Sequence, residues 1–173
     1  MACWHYLKTE PFKSRQILSA GYVTDCSTII ELGGYHTPIT SFLTHPFKQA
    51  VSVDPLTPAK QEGNILHIAK DYREVDFSPY ISGHYALVML GMDLPFSQKL
   101  YYLIAHAKKV VIEFPQDHNP SLKLFEEILL RTDLKQEAFI QLNLSENDFS
   151  HLKDSHKVFP FRTLYVLSTG KMS

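Results

Sequence analysis

The segment "TIIELGGYHTPITSFL", residues 28–43, contains the corner that decides the fold. It begins with a β-branched apolar run that is typical of a buried strand, and it ends with a sequence that can form a helix. Between them, Gly33 and Gly34 permit positive φ and a close approach of a ligand to the backbone. Thr37 is a good N-cap, and Pro38 suits the first helical position. We therefore predict a strand, a tight turn and a helix from Pro38, whose free N–H groups would favour an anion.

Further apolar runs predict the rest of a sheet. Most are continuously apolar for four or five residues rather than alternating, which is typical of parallel strands covered on both faces. With the opening strand at 27–33, the predicted strands lie at 50–55, 64–69, 85–91 and 109–115, followed by two late β-rich segments at 137–145 and 161–169. Because no long helix separates the last two, we expect them to form an antiparallel pair at one edge of the sheet.

Predicted helices lie between and before these strands. Apolar spacings of three and four indicate helices at 96–108 and 121–133, and another helical stretch precedes the first strand, within an N-terminal segment of residues 1–20. Only nine residues, 55–63, separate the second and third strands, too few for a full covering helix. The pattern predicts an α/β fold: a single domain over 1–173, with a mainly parallel seven-stranded sheet, an antiparallel C-terminal strand pair, and helices on both faces.

Composition narrows the possible partners. The chain has 173 residues and a formal net charge of −1, so it has no basic footprint for a nucleic-acid backbone. Cys3 and Cys26 belong to no paired framework, and no apolar run approaches the roughly 20 residues of a membrane span. The N-terminus does not resemble a signal peptide. We expect a cytoplasmic protein without a membrane partner; the charge balance does not exclude a nucleic-acid partner, but nothing in the composition argues for one.

A carboxylate follows the second predicted strand at an informative distance. Asp54 lies 20 residues after Gly34, and an acid at that place in an open α/β sheet is the expected ligand of a ribose diol. Standing before Pro55, Asp54 could equally be a turn residue or a helix cap. Gly33 and Gly34 could equally form a tight turn that binds nothing, and Glu31 could cap backbone amides of the loop.

This arrangement resembles the class I S-adenosylmethionine-dependent methyltransferases. Their first strand is followed by an acid, a hydrophobic residue and Gly-x-Gly-x-Gly, and "ELGGYHT" (31–37) matches at Glu31 and Gly33. Tyr35 and Thr37 replace the second and third glycines. The order of the predicted elements fits the family, whose sixth and seventh strands also form an antiparallel pair. The resemblance implies a Rossmann-like methyltransferase fold over about residues 15–169.

The resemblance also implies a cofactor and its ligands. S-adenosylmethionine would place its methionine end near the first turn, its ribose on Asp54 and its adenine near Asp71, although Asp71 could instead cap the short segment that follows it. Tyr35 could cover part of the cofactor. The residues implied to bind the cofactor are Glu31, Gly33, Gly34, Tyr35, Thr37, Asp54, Pro55, Asp71, Tyr72, Gly91 and Met92.

Catalytic residues are less clearly marked. Asp93, after the fourth large strand, could orient or deprotonate an acceptor, or it could cap a helix; His36 could act as a base or be a solvated loop residue. The nine histidines show no zinc-site spacing, so we expect no metal.

The resemblance implies direct methyl transfer to an acceptor, and the lack of a large recognition insertion favours a small molecule. Two other functions stay open: a non-catalytic module that binds a protein partner or a second copy of the chain, and a Rossmann-like protein that binds another nucleotide.

Overall fold

The computed structural model describes residues 10–35, 37–81, 83–90, 97–115, 119–143 and 161–169. These ranges form one eight-stranded sheet with three α-helices and two short 3-10 helices, at Ile39–Phe42 and Tyr72–Glu74. The strands are β1 Thr28–Leu32, β2 Gln49–Val53, β3 Lys60–Glu62, β4 Ile65–Ile68, β5 Tyr85–Leu90, β6 Lys109–Pro115, β7 Leu134–Asn143 and β8 Phe161–Thr169. The helices are α1 Glu10–Tyr22, α2 Gln98–His106 and α3 Asn119–Arg131.

The sheet is mainly parallel, as predicted. Its strand order is β3-β4-β2-β1-β5-β6-β8-β7. The pairs from β4 through β2, β1 and β5 to β6 are parallel, whereas β8 runs antiparallel to both β6 and β7. From β1 the chain first adds strands on one side and then, with β5, on the other. This reversal places a switch point at the carboxyl ends of β1 and β5, where ligands of open α/β sheets bind.

The sheet has one strand more than the seven predicted. The extra strand, β3, lies in the connection 55–63 and pairs antiparallel with β4. Its three residues are all exposed, so it has no apolar pattern that a sequence reading could detect. Gly63, with φ of +59°, and Asn64 form the two-residue hairpin loop, a dipeptide that does favour such turns.

Helices cover both faces of the sheet, which confirms that part of the prediction. Side chains of α2, α3 and the 3-10 helix Tyr72–Glu74 pack into the core on one face. Side chains of α1 and the 3-10 helix Ile39–Phe42 pack into the core on the other. Every residue of β1 and β5 is buried, as the wholly apolar sequence of β5 predicts; β1 also buries Thr28 and Glu31.

The predicted helix starting at Pro38 is wrong. The chain forms only the four-residue 3-10 helix Ile39–Phe42, and its N-cap is Pro38, in an extended conformation and without a side-chain capping bond. Thr37 does not cap this helix; its hydroxyl contacts Gln16 of α1 instead. The N–H of Ile39 is taken by Glu31, so this helix start offers no anion site of the predicted kind.

Candidate functional site

The candidate site is the carboxyl rim of the central strands, which brings Gly33 and Asp54 together. Gly33 follows β1 and donates its N–H to the Val53 carbonyl of β2 at 2.8 Å. Asp54 follows β2 and donates its N–H to the Ile68 carbonyl of β4 at 3.1 Å. Gly33 has φ of +83°, a conformation that favours glycine and explains this residue. The predicted cofactor-loop glycine and ribose acid therefore lie on neighbouring strands at one edge.

Gly34 is required for a different reason than predicted. A Cβ atom built on Gly34 would lie 2.4 Å from Ser52 Oγ and 2.5 Å from Glu31 Oε2. The close approach to its backbone is therefore made by two polar side chains of the protein itself, where we had expected a ligand.

Glu31 is held beneath the loop. It is only 2% exposed, and its Oε1 accepts a hydrogen bond from the Ile39 N–H at 2.7 Å. Its Oε2 accepts one from Ser52 Oγ, also at 2.7 Å. Burial raises the pKa of Glu31 to about 7, and Asp54 adds to the rise, against the two hydrogen bonds and the charge of Arg15. The sequence allowed Glu31 to cap a backbone amide of the loop, and Glu31 Oε1 does so at the Ile39 N–H.

The two residues at the missing glycine positions, Tyr35 and Thr37, bond to other parts of the chain. Gln16 of α1 donates from Nε2 to Thr37 Oγ1 at 2.9 Å and to the Thr37 carbonyl at 3.2 Å. Thr57 Oγ1 donates to the Tyr35 carbonyl at 3.4 Å, and Tyr35 is partly exposed. Gln16 was missed by sequence reasoning, because a single glutamine in a helix has no distinguishing pattern.

Asp54 and Pro55 form a turn at the end of β2. Asp54 is 7% exposed, and its Oδ1 accepts a hydrogen bond from the Leu56 N–H at 2.7 Å. The Thr57 N–H also donates to the Asp54 carbonyl at 3.3 Å. The turn role that the sequence left open is therefore present, and it fixes one carboxylate oxygen at the rim.

Asp71 and Tyr72 follow β4, and both are held by the protein. Asp71 Oδ1 accepts from the backbone N–H and Nε of Arg73, each at 2.9 Å, and its Oδ2 accepts from Arg73 Nη2 at 2.6 Å. These bonds to Arg73 lower the pKa of Asp71 to about 2. Tyr72 is buried and donates its hydroxyl to Ser97 Oγ at 3.0 Å, at the start of α2. The capping role considered for Asp71 is thus observed.

A buried ion cluster lies on the α1 face of the sheet, and sequence reasoning missed it. Glu113 of β6, 1% exposed, accepts from Arg15 Nη1 of α1 at 2.7 Å. Arg162 of β8 donates to the same carboxylate through Nε, and through Nη2 at 3.3 Å. Burial would raise the pKa of Glu113, but the two guanidinium groups together hold it below its ordinary value. The cluster ties α1 to the end of β6.

Four predicted site residues, His36, Gly91, Met92 and Asp93, lie outside the described residues. Within the described ranges, no group of three or more His, Cys, Asp or Glu side chains is placed to hold a metal ion. A search of the same ranges found no helix with the length and apolarity needed to span a membrane.

Solved structures of similar fold were found, although no protein-family model and no curated protein matches the chain. The N-methyltransferase NodS from Bradyrhizobium japonicum, in complex with S-adenosyl-L-homocysteine, superposes with a TM-score of 0.64 at 13% identity, covering 97% of this chain and 92% of NodS. An rRNA methylase from Streptococcus thermophilus gives 0.56 at 12% identity, over 94% of this chain and 98% of its own. The 23S rRNA methyltransferase ErmE superposes with a TM-score of 0.57 at 10% identity, covering 95% of this chain and 69% of ErmE. The chain therefore has the class I methyltransferase fold, as the resemblance implied.

The fit around Gly34 predicts a costly substitution. Gly34→Ala would force its Cβ against Ser52 Oγ and Glu31, and we expect a loss of about 2 kcal/mol or more in the free energy of unfolding. Gly21→Ala in α1 is the matched control, because nothing lies within 4 Å of its added Cβ. The control should be neutral or stabilise by up to about 1 kcal/mol. Equal urea midpoints for the two variants would contradict the crowding at Gly34.

The two buried glutamates, Glu31 and Glu113, should make the free energy of unfolding depend on pH in opposite directions. The folded-state pKa of Glu31 is raised from 4.5 to about 7, so ionising this group costs stability as the pH rises through that window. Glu31→Gln removes that cost, and its stability relative to the parent should rise between pH 5 and pH 8, by roughly 2–3 kcal/mol.

Glu113→Gln is the comparison, since the folded-state pKa of Glu113 is lowered. The stability that Glu113 contributes is present above its ordinary pKa and is lost as the pH falls through the lowered one. Its replacement should cost about 3–5 kcal/mol near pH 7, because two buried cations lose their partner, and less near pH 4. Urea unfolding at each pH measures both variants, and parallel trends for the two would contradict the assignments.

Proposed function

We propose that the protein is an S-adenosylmethionine-dependent methyltransferase that transfers the methyl group directly to a small-molecule acceptor. The observation that carries the proposal is the juxtaposition of Gly33, at positive φ, with Asp54 at the carboxyl rim of neighbouring strands. The fold supports it, and so does NodS, a protein of similar fold whose structure contains S-adenosyl-L-homocysteine.

In this proposal the residues divide into ligands and supports. The Asp54 carboxylate would accept hydrogen bonds from the ribose hydroxyls, and the main chain around Gly33 and Tyr35 would face the methionine portion. The segment of Asp71 and Tyr72 would border the adenine. Because both oxygens of Glu31 are occupied by Ile39 and Ser52, we assign Glu31 to shaping the loop from below.

Direct methyl transfer requires the protein mainly to align the acceptor with the methyl group of the cofactor. The bound cofactor supplies a methyl group on a positively charged sulfur; an oxygen, nitrogen or carbon nucleophile forms a bond to that methyl carbon as the carbon–sulfur bond breaks. The chain must hold the nucleophile in line and exclude water. Gly91 and Met92 would border the reacting methyl group, and Asp93 or His36 would orient or deprotonate the acceptor.

A second function is favoured by one observation. The carboxylates of Glu31 and Asp71 already bond to donors of the chain itself, and the loop is held by Gln16 and Thr57. A fold that has kept its shape without its ligand would also look this way. The alternative is therefore a non-catalytic methyltransferase-like module that binds another protein.

Isothermal titration with S-adenosylmethionine and S-adenosyl-L-homocysteine separates the two functions. We expect micromolar binding that weakens about 10- to 100-fold in Asp54→Asn, which loses a charged hydrogen-bond partner but keeps an oxygen for the Leu56 N–H. Asp76→Asn is the control, because Asp76 accepts from the Ser78 N–H in an exposed turn and has no role in the proposed site, and the Kd of this variant should match the parent's. A folded protein that binds neither compound would overturn the enzymatic proposal.

The acceptor class has its own test. With methyl-labelled cofactor, we expect label to pass into a fraction of small metabolites and not into total RNA, because the chain has a net charge of −1 and no excess of basic residues. Proteins of similar fold include rRNA methylases, so RNA is the informative comparison. Label in RNA alone would refute a small-molecule acceptor and leave methyl transfer standing.

A further inference from the structure

A buried acceptor beside the loop after β1 has no donor among the described residues. Gln16 of α1 is 1% exposed, and its Nε2 donates two hydrogen bonds to Thr37. The other amide atom, Gln16 Oε1, is buried and accepts no hydrogen bond from the part of the chain that the structure describes. The two bonds to Thr37 fix the orientation of the amide, since the Thr37 carbonyl can accept only from the nitrogen.

A buried acceptor of this kind is expected to have a hydrogen-bond donor. In folded proteins nearly all buried polar atoms are hydrogen-bonded, because an unpaired atom loses its hydrogen bonds to water and gains none from the protein. Gln16 Oε1 is an acceptor, so its partner must carry an N–H or O–H group. Because the nitrogen of the same amide bonds to Thr37, at the place of the third family glycine, that donor would lie near Thr37.

The buried acids of the rim favour a cationic donor. Glu31 in β1 and Asp54 after β2 are both buried. Arg15, which precedes Gln16 on α1, pairs with Glu113 on β6, and its charge also favours the ionised form of Glu31. A positively charged ligand group near the ends of β1 and β2 would be stabilised by the Asp54 carboxylate.

We propose that Gln16 Oε1 accepts a hydrogen bond from the ammonium group of the cofactor's methionine portion. The inference rests on the proposed function and adds to it a ligand from α1, outside every motif of the resemblance. The adenine amino group is the wrong donor: it is expected near Asp71, after β4, and β2 lies between β4 and β1. The ribose hydroxyls are assigned to Asp54, and the methionine carboxylate has no proton to donate at neutral pH.

The test compares S-adenosyl-L-homocysteine with its deamino analogue, which lacks only the ammonium group. By titration calorimetry, the parent protein should bind the complete compound at least about 10-fold more tightly than the analogue. Gln16→Met, which keeps the length and loses the acceptor, should bind the complete compound about 10-fold more weakly and leave the affinity for the analogue nearly unchanged, so the ratio of the two affinities falls.

Thr37→Val is the matched control for the shape of the loop. It removes the hydroxyl contact with Gln16 Nε2 but keeps Gln16 Oε1, so it should weaken both ligands by the same factor and preserve their ratio. If Gln16→Met also preserves that ratio, Gln16 acts only through the loop and the inference is wrong, although the methyltransferase proposal survives. If the folded parent binds neither S-adenosylmethionine nor S-adenosyl-L-homocysteine, the proposed function fails and takes the inference with it. Circular dichroism of each variant establishes that it is folded.

Discussion

The candidate site depends on one buried carboxylate. Glu31 joins the Ile39 N–H, which follows the loop, to the Ser52 hydroxyl on the neighbouring strand. Its position fixes where the chain can turn after β1, and it leaves at Gly34 no room for a side chain. Burying the Glu31 carboxylate costs desolvation free energy. The two hydrogen bonds offset part of that cost, because the Ile39 N–H and the Ser52 hydroxyl would otherwise be buried without this acceptor.

That constraint explains how the loop tolerates side chains where related loops have glycines. Among the described residues of this loop, the glycine with positive φ is Gly33, and its conformation explains why glycine stands there. Farther along, Thr37 is bonded to Gln16 and the Tyr35 carbonyl accepts from Thr57. Contacts from α1 and from the turn after β2 thus help to hold this loop.

The sequence predicted what apolar patterning controls. Continuous apolar runs located β1, β2, β4, β5 and β6, and β-rich composition located β7 and β8. The lack of a long helix between the last two segments predicted that β7 and β8 pair antiparallel. The sequence did not predict what depends on long-range contacts. Gln16 and the Arg15–Glu113–Arg162 cluster join elements far apart in the chain, and no local spacing marks them. The helix expected at Pro38 failed for the same reason: Thr37 suited a local cap, but its hydroxyl and the Ile39 N–H are bound by distant side chains.

The same long-range contacts give α1 a second role besides covering one face of the sheet. Gln16 bonds to Thr37 in the loop after β1, and the preceding residue, Arg15, bonds to Glu113 near the carboxyl end of β6. Because both side chains leave one helix, α1 joins the carboxyl ends of two strands that are separated by β5 in the sheet. In the proposed enzyme, α1 therefore helps to hold the loop that would border the cofactor.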